Sequence, residues 1–249
     1  METTSEGKSL RLGLFGGSFD PVHLGHLEIA RFAKELFDLD EVHFILANAS
    51  PFKFQDKLKD HENAEAGVQQ ECKRAEILKL ALEDYQGTVV ENAENGVVPR
   101  SQELNFKLNL MEFNREPPSY TYQTVEEFKV LYPTAKLFWI MGADSFSELP
   151  KWKNVNYLIE NLEFIVFRRK ETGLNTEKLL ESELFNRDEF IDLKKKLKVN
   201  FIENPYIDVS STLIRKSILN SNDLNVLDEK LSNPSKGLII EYYRKRFRE

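Results

Sequence analysis

The chain has 249 residues, 41% hydrophobic and 30% charged, enough for one α/β domain with insertions and a buried core under a solvated surface. Its net charge of -7 excludes the basic field that draws a protein to nucleic acid or to an anionic membrane. A single cysteine, Cys72, excludes an intrachain disulfide and a cysteine metal cluster, and fits a reducing, cytoplasmic location. The opening "METTSEGKSLRLGLFGG" has no basic region followed by a long apolar run, so no secretory signal is expected. No stretch approaches the roughly 18 apolar residues of a membrane span.

A loose tail is expected over 1–9. "LRLGLFGG" is an apolar run ended by glycines and predicts a buried first strand. "HLEIARFAKELF" follows, with Leu27, Ala30, Phe32, Ala33, Leu36 and Phe37 recurring at helical spacing. "EVHFILAN" predicts a second strand, "ECKRAEILKLALEDY" a helix, and "GTVVEN" a third strand. "TYQTVEEFKVLY" reads as a helix, "AKLFWIMGAD" and "LEFIVFRRK" as strands, and "TEKLLESELFNRDEFIDLKKKL" as helical. "VNFIEN" predicts a strand, "SSTLIRKSILN" a helix opened by hydroxyl residues, and "GLIIEYYRKRFRE" a closing helix. Strands alternating with helices predict an α/β fold of parallel βαβ units covered on both faces. There is no repeat and no Pro/Gly-rich linker, so a single domain over 1–249 is expected. Elaborated loops at 52–70 and 91–119 would lie at the ligand-bearing rim.

The stretch "GLFGGSFDPVHLGH" holds two of the chain's four histidines. Gly16 and Gly17 let the backbone turn and let a ligand approach main-chain N–H groups. Ser18 and Asp20 can accept hydrogen bonds from the turn, and Pro21 stiffens it. The next helix starts near Gly25, so its positive end points back at the glycines, with His23 and His26 projecting toward the same spot. Imidazoles and backbone amides there suit a phosphate that gains charge during reaction. Taken singly, a Gly-Gly turn or a histidine pair on a helix is weak, and no third ligand cluster stands nearby to make a metal site. The joint pattern is more specific. In "VSSTLIR", Ser210, Ser211 and Thr212 sit where a helix should start, and Arg215 lies one turn on. Its fork suits a pyrophosphate, against the plain reading of a serine cap beside a solvated arginine.

"GGSFDPVHLGH" resembles the signature of the HxGH nucleotidyltransferases, and specifically the nicotinate-nucleotide adenylyltransferase family. "SPFK", "CKRAEILKLAL", "LMEFNREPPSYTYQTVEEF", "FWIMGADSFSELPKWKN" and "VSSTLIRKSI" resemble further motifs of that family, in its order. The family usually has histidine where this chain has Phe52, and Arg-Pro-Gly where it has "RRK".

The resemblance implies a Rossmann-like doubly wound parallel sheet and adenylyl transfer from ATP to nicotinate mononucleotide, giving deamido-NAD and pyrophosphate. It implies His23, His26 and Arg215 as catalytic, with Gly16, Gly17, Ser18, Phe19, Gly142, Asp144, Arg168, Ser210, Ser211 and Thr212 completing the ATP site. Lys53, Tyr120, Thr121 and Trp152 would serve the mononucleotide, with a core anchor the equal alternative for Trp152. Glu112, Arg115 and Arg74 would brace the loops. Mg²⁺ is expected with ATP, held by phosphates and water rather than by a protein metal site. A homo-oligomer is left open. The competing readings are nicotinamide mononucleotide as acceptor, a sister enzyme of the phosphopantetheine adenylyltransferase or CTP-using type, and a catalytically silent nucleotide-binding regulator.

Overall fold

The computed structural model describes residues 9–48, 64–94, 104–168, 180–203, 209–219, 227, 230–231 and 233–246. Its centre is a sheet of six parallel strands: β1 (Arg11–Gly17), β2 (Glu41–Leu46), β3 (Phe106–Asn109), β4 (Lys136–Gly142), β5 (Leu162–Arg168) and β6 (Val199–Glu203), in spatial order β3-β2-β1-β4-β5-β6. The helices are α1 (Leu24–Leu36), α2 (Ala64–Glu94), α3 (Thr121–Leu131), α4 (Ala143–Ser147), α5 (Val155–Asn161), α6 (Asp188–Lys196), α7 (Ser211–Leu219) and α8 (Asn233–Arg246).

Successive strand residues face opposite sides of the sheet. On β1, Phe15 joins the core lined by α1, α2, α7 and α8, while Leu12 and Leu14 join the core lined by α3 to α6. Both faces are therefore apolar, as a parallel sheet requires. The strand order reverses between β1 and β4. In doubly wound sheets a ligand binds in the crevice beyond the carboxyl ends of the strands at that point, and here those ends are Gly17 and Gly142.

Several expectations change. "GTVVEN" continues α2 and is not a strand. The buried side of α2, with Ile77, Leu78, Ala81, Leu82 and Tyr85, holds a helical period into this β-branched run, and packing overrides strand propensity. The sheet edge is supplied instead by β3, inside the expected 91–119 loop, where the Phe106 N–H donates to Gln86 Oε1 at 2.7 Å. Of the helix expected over 176–197, 176–179 lie outside the described residues, and the rest is broken into a 3-10 turn at Glu183–Asn186 and then α6. Asn186 Nδ2 donates to the carbonyls of Glu181 and Ser182, which competes with the helical ladder. Residues 64–70 of the other expected loop belong to α2. Of the expected tail, 1–8 lie outside the described residues, and Ser9 is tied by its hydroxyl to the Thr134 carbonyl.

Candidate active site

A Cβ on Gly16 would sit 2.7 Å from the Trp139 ring, so β1 ends where only glycine fits against β4. The chain then turns through Phe19 at φ 41, the left-handed region that bulky residues avoid. This conformation folds the Phe19 ring inward, 3% exposed, edge-on to Phe15 at 5.5 Å and to His26 at 5.2 Å. The Phe19 ring is thus spent on packing against His26 and the core.

His23 caps α1 and His26 lies in the first turn, with their rings stacked at a centroid distance of 3.7 Å. The His23 N–H donates to His26 Nδ1 at 3.3 Å. In the neutral ring Nδ1 is therefore the acceptor and the proton sits on Nε2. Gly25 between them is required by close packing, since a Cβ there would stand 2.7 Å from Val209 Cγ1.

The two halves expected to form the triphosphate site are joined. Ser211 Oγ donates to the Pro21 carbonyl at 2.9 Å, and Arg215 Nη1 donates to the Asp20 carbonyl. Arg215 Nη2 donates to Thr212 Oγ1 at 3.1 Å. Ser210 accepts from the Leu213 N–H at 3.2 Å, the plain capping role weighed for it. Two structural partners were not legible in sequence. The Asp20 carboxylate accepts from Tyr243 Oη and, at 3.1 Å, from Arg246 Nη1, rather than from the turn itself. Nothing in "EYYRKRF" signals that contact.

Across the crevice, Gly142 caps α4 in extended backbone at φ -81, not in a left-handed turn, and a Cβ there would meet open space. Gly142 and Asp144 are both exposed. Arg168 ends β5 beside Glu203, with Nη2 3.7 Å from Oε1. The "RRK" continuation lies outside the described residues, as does Lys53.

Tyr120 caps α3 through backbone alone and its first turn carries no acid, so the N–H groups of Thr121 and Tyr122 at the positive end of the helix have no intrahelical partner. Lys153 Nζ lies 4.3 Å from the Tyr120 ring centroid. Trp152 is half-buried, edge-on to Trp139 at 6.2 Å, which makes it at least a core anchor. The bracing residues do brace. Arg74, 5% exposed, donates to the carbonyls of Ser18 and Ala47, tying the ends of β1 and β2 together. Glu112, 6% exposed, accepts from Thr124 Oγ1 at 2.9 Å, and Arg115 donates to the same hydroxyl. Burial pushes the Glu112 carboxyl above its ordinary value despite these donors. Among the described residues no group of three His, Cys, Asp or Glu side chains could hold a metal ion, and no helix is long and apolar enough to cross a membrane.

A parallel sheet with this switch point, a glycine-ended first strand and a stacked HxGH pair define a nucleotidyltransferase, and the family described as cytidylyltransferase-like matches residues 14–217. The chain belongs to the nicotinate-nucleotide adenylyltransferases within that class. It is 34% identical over 208 residues to a probable nicotinate-nucleotide adenylyltransferase of Carboxydothermus hydrogenoformans, covering 84% of this chain and 86% of that one. It is 31% identical over 221 residues to the Clostridium tetani protein of the same description, covering 88% and 93%. The fold matches the Plasmodium falciparum nicotinic acid mononucleotide adenylyltransferase, solved with NaAD, at a TM-score of 0.65 and 18% identity, covering 94% and 98% of the two chains.

Proposed function

We propose that this chain transfers the adenylyl group of ATP to nicotinate mononucleotide, giving deamido-NAD and pyrophosphate, a step of NAD biosynthesis, and that 1–249 acts as one nucleotidyltransferase domain. The observation that carries the reading is the stacked His23–His26 pair at the start of α1, bound through one turn to Ser211 and Arg215. The relatives' shared description supplies the acceptor.

An oxygen of the mononucleotide phosphate attacks the α-phosphorus of ATP, the new P–O bond forms, and the bond to the β-phosphate oxygen breaks. The attacking group is already an anion, so no side chain has to remove a proton. What the protein supplies is alignment and charge stabilisation. His26 Nε2–H would donate to the α-phosphate as its charge grows, and His23, Ser210, Ser211, Thr212 and Arg215 would hold the β- and γ-phosphates. Gly142 and Asp144 would take the nucleoside, with Arg168 beside it. The donor set of this site is N–H and hydroxyl, which suits phosphate oxygens. A magnesium ion would accordingly be held by triphosphate and water, and when bound it would neutralise phosphate charge. The start of α3, with Tyr120, Thr121 and Trp152, would take the nicotinate ring and its carboxylate, and Lys53 the mononucleotide phosphate.

The test gives purified protein ATP, Mg²⁺ and a panel of acceptors (nicotinate mononucleotide, nicotinamide mononucleotide, phosphopantetheine) and follows pyrophosphate. Release with nicotinate mononucleotide is the expected result. Release with phosphopantetheine alone, or with no acceptor, refutes the reading.

A further inference from the structure

We propose that Tyr243 and Arg246 are positioning residues for the triphosphate site, acting through Asp20 on the turn that carries His23 and His26. The proposal rests on the adenylyl-transfer reading above.

Asp20 stands between Phe19, in the left-handed region, and Pro21. The carbonyls of Asp20 and Pro21 and the Asp20 carboxylate are all taken by residues about 200 positions further along. The Asp20 carbonyl accepts from Arg215 and the Pro21 carbonyl from Ser211. Asp20 Oδ1 accepts from Tyr243 Oη and from Arg246 Nη1 at 3.1 Å, and Arg246 Nη1 also reaches Oδ2 at 3.4 Å. The Leu24 N–H, in the first turn of α1, donates to the Lys230 carbonyl at 2.9 Å. Tyr243 is fully buried, so packing fixes the position of its hydroxyl. Burial and the adjacent Asp20 carboxylate push that hydroxyl far above the ordinary phenol range, which keeps it a donor.

A strained residue holds its conformation only where its surroundings over-determine it. Phe19 is such a residue, and its ring is what His26 rests on, edge-on at 5.2 Å. Loosening Asp20 lets the Phe19 backbone relax, withdraws that support and lets the imidazoles drift from the α-phosphate. The mononucleotide side of the crevice is built on α3 and Trp152 and is held by other contacts, through Glu112, Thr124 and Arg115. The effect should therefore fall on ATP.

The experiment measures KM for ATP, KM for nicotinate mononucleotide and kcat in Tyr243→Phe, Arg246→Gln, Arg246→Lys and Asp20→Asn. Calorimetry with a non-hydrolysable ATP analogue and a thermal midpoint accompany each. The exposed Lys245→Gln removes the same charge from the same turn as a control. Losing a hydrogen bond to a charged group should raise KM for ATP or lower kcat by about fivefold or more. KM for the mononucleotide should stay within about twofold, and Arg246→Lys should recover part of the loss. Asp20→Asn combined with Arg246→Gln should be no worse than the more damaging single change, because the two act as one unit. Folded variants with unchanged kinetics overturn the proposal. So does an equal loss toward both substrates, or a Lys245→Gln loss as large as that of Arg246→Gln. If the wild-type chain turned over no acceptor, the function reading would fail, and the analogue-binding arm would still decide this one.

Discussion

On the proposed reading, removing the His26 imidazole takes away the donor to the α-phosphate together with the acceptor for the His23 N–H. His26→Ala should fold, with an unchanged far-ultraviolet circular dichroism spectrum, and lose roughly 10²–10³ in kcat. A near wild-type rate would rule out the assigned role. Arg215 spans the Asp20 carbonyl and the Thr212 hydroxyl with two nitrogens of one planar group. Arg215→Lys should remain impaired in both ATP binding and kcat, because a point charge cannot reproduce the fork. Gly25→Ala would press a methyl to 2.7 Å from the buried Val209. Overpacking of this kind costs about 1–3 kcal/mol and should show as a lowered thermal midpoint. The histidines, the glycine pair and the hydroxyl cap of α7 were readable because their geometry is local. Asp20 was misread for the opposite reason: its partners come from α8 and no short-range pattern announces them.

At the scale of elements, the start of α3 makes the sharpest claim about substrate. Its Tyr120 cap offers no side-chain acceptor and its first turn no acid, so the free N–H groups and dipole favour a carboxylate over a neutral amide. An amide would also set its own NH₂ against those donors. Nicotinate mononucleotide should be preferred over nicotinamide mononucleotide by 10-fold or more in kcat/KM, about 1.4 kcal/mol. Equal values would mean that α3 does not read the carboxylate. Long periodic elements such as α1 and α3 were legible to within a few residues. β3 was not: four residues, "FKLN", are too few to show alternation, while the Val89–Val90 pair nearby imitates a strand inside α2. The helix of 176–197 failed at Asn186, where a side chain outcompetes the ladder and periodicity alone carries no warning.

For the molecule as a whole, acid sensitivity should originate on β2. His43 is buried, edge-on to Phe128 at 5.0 Å, and its Nε2 lies 3.0 Å from Glu41 Oε2. Burial lowers its pKa below the ordinary 6.5 although Glu41 opposes the shift. The folded state therefore binds a proton less readily than the unfolded chain, so this contribution is complete above about pH 6.5 and is lost as the pH falls through the folded value. Burial would raise the Glu41 carboxyl, but Lys107 and His43 outweigh it and hold the pKa below 4.5, so its own contribution fades only in stronger acid. Thermal midpoints should fall between about pH 7.5 and about pH 5.5 in the wild-type chain, and less steeply in His43→Leu. An identical slope in the variant would move the sensitivity elsewhere. The parallel sheet itself followed from the alternation of strands and helices. Its strand order did not, because which strands become neighbours is decided by tertiary packing on two faces at once.

The turn around Asp20 is made early during synthesis, yet the side chains that hold it belong to residues 243 and 246. At ~5–20 residues per second on the ribosome, roughly 10 to 45 s separate the two. Through that interval the nascent chain carries its histidine pair without the α8 clamp. A stalled or truncated product lacking α8 should therefore sequester little ATP, so that an incomplete enzyme does not compete for nucleotide with finished copies.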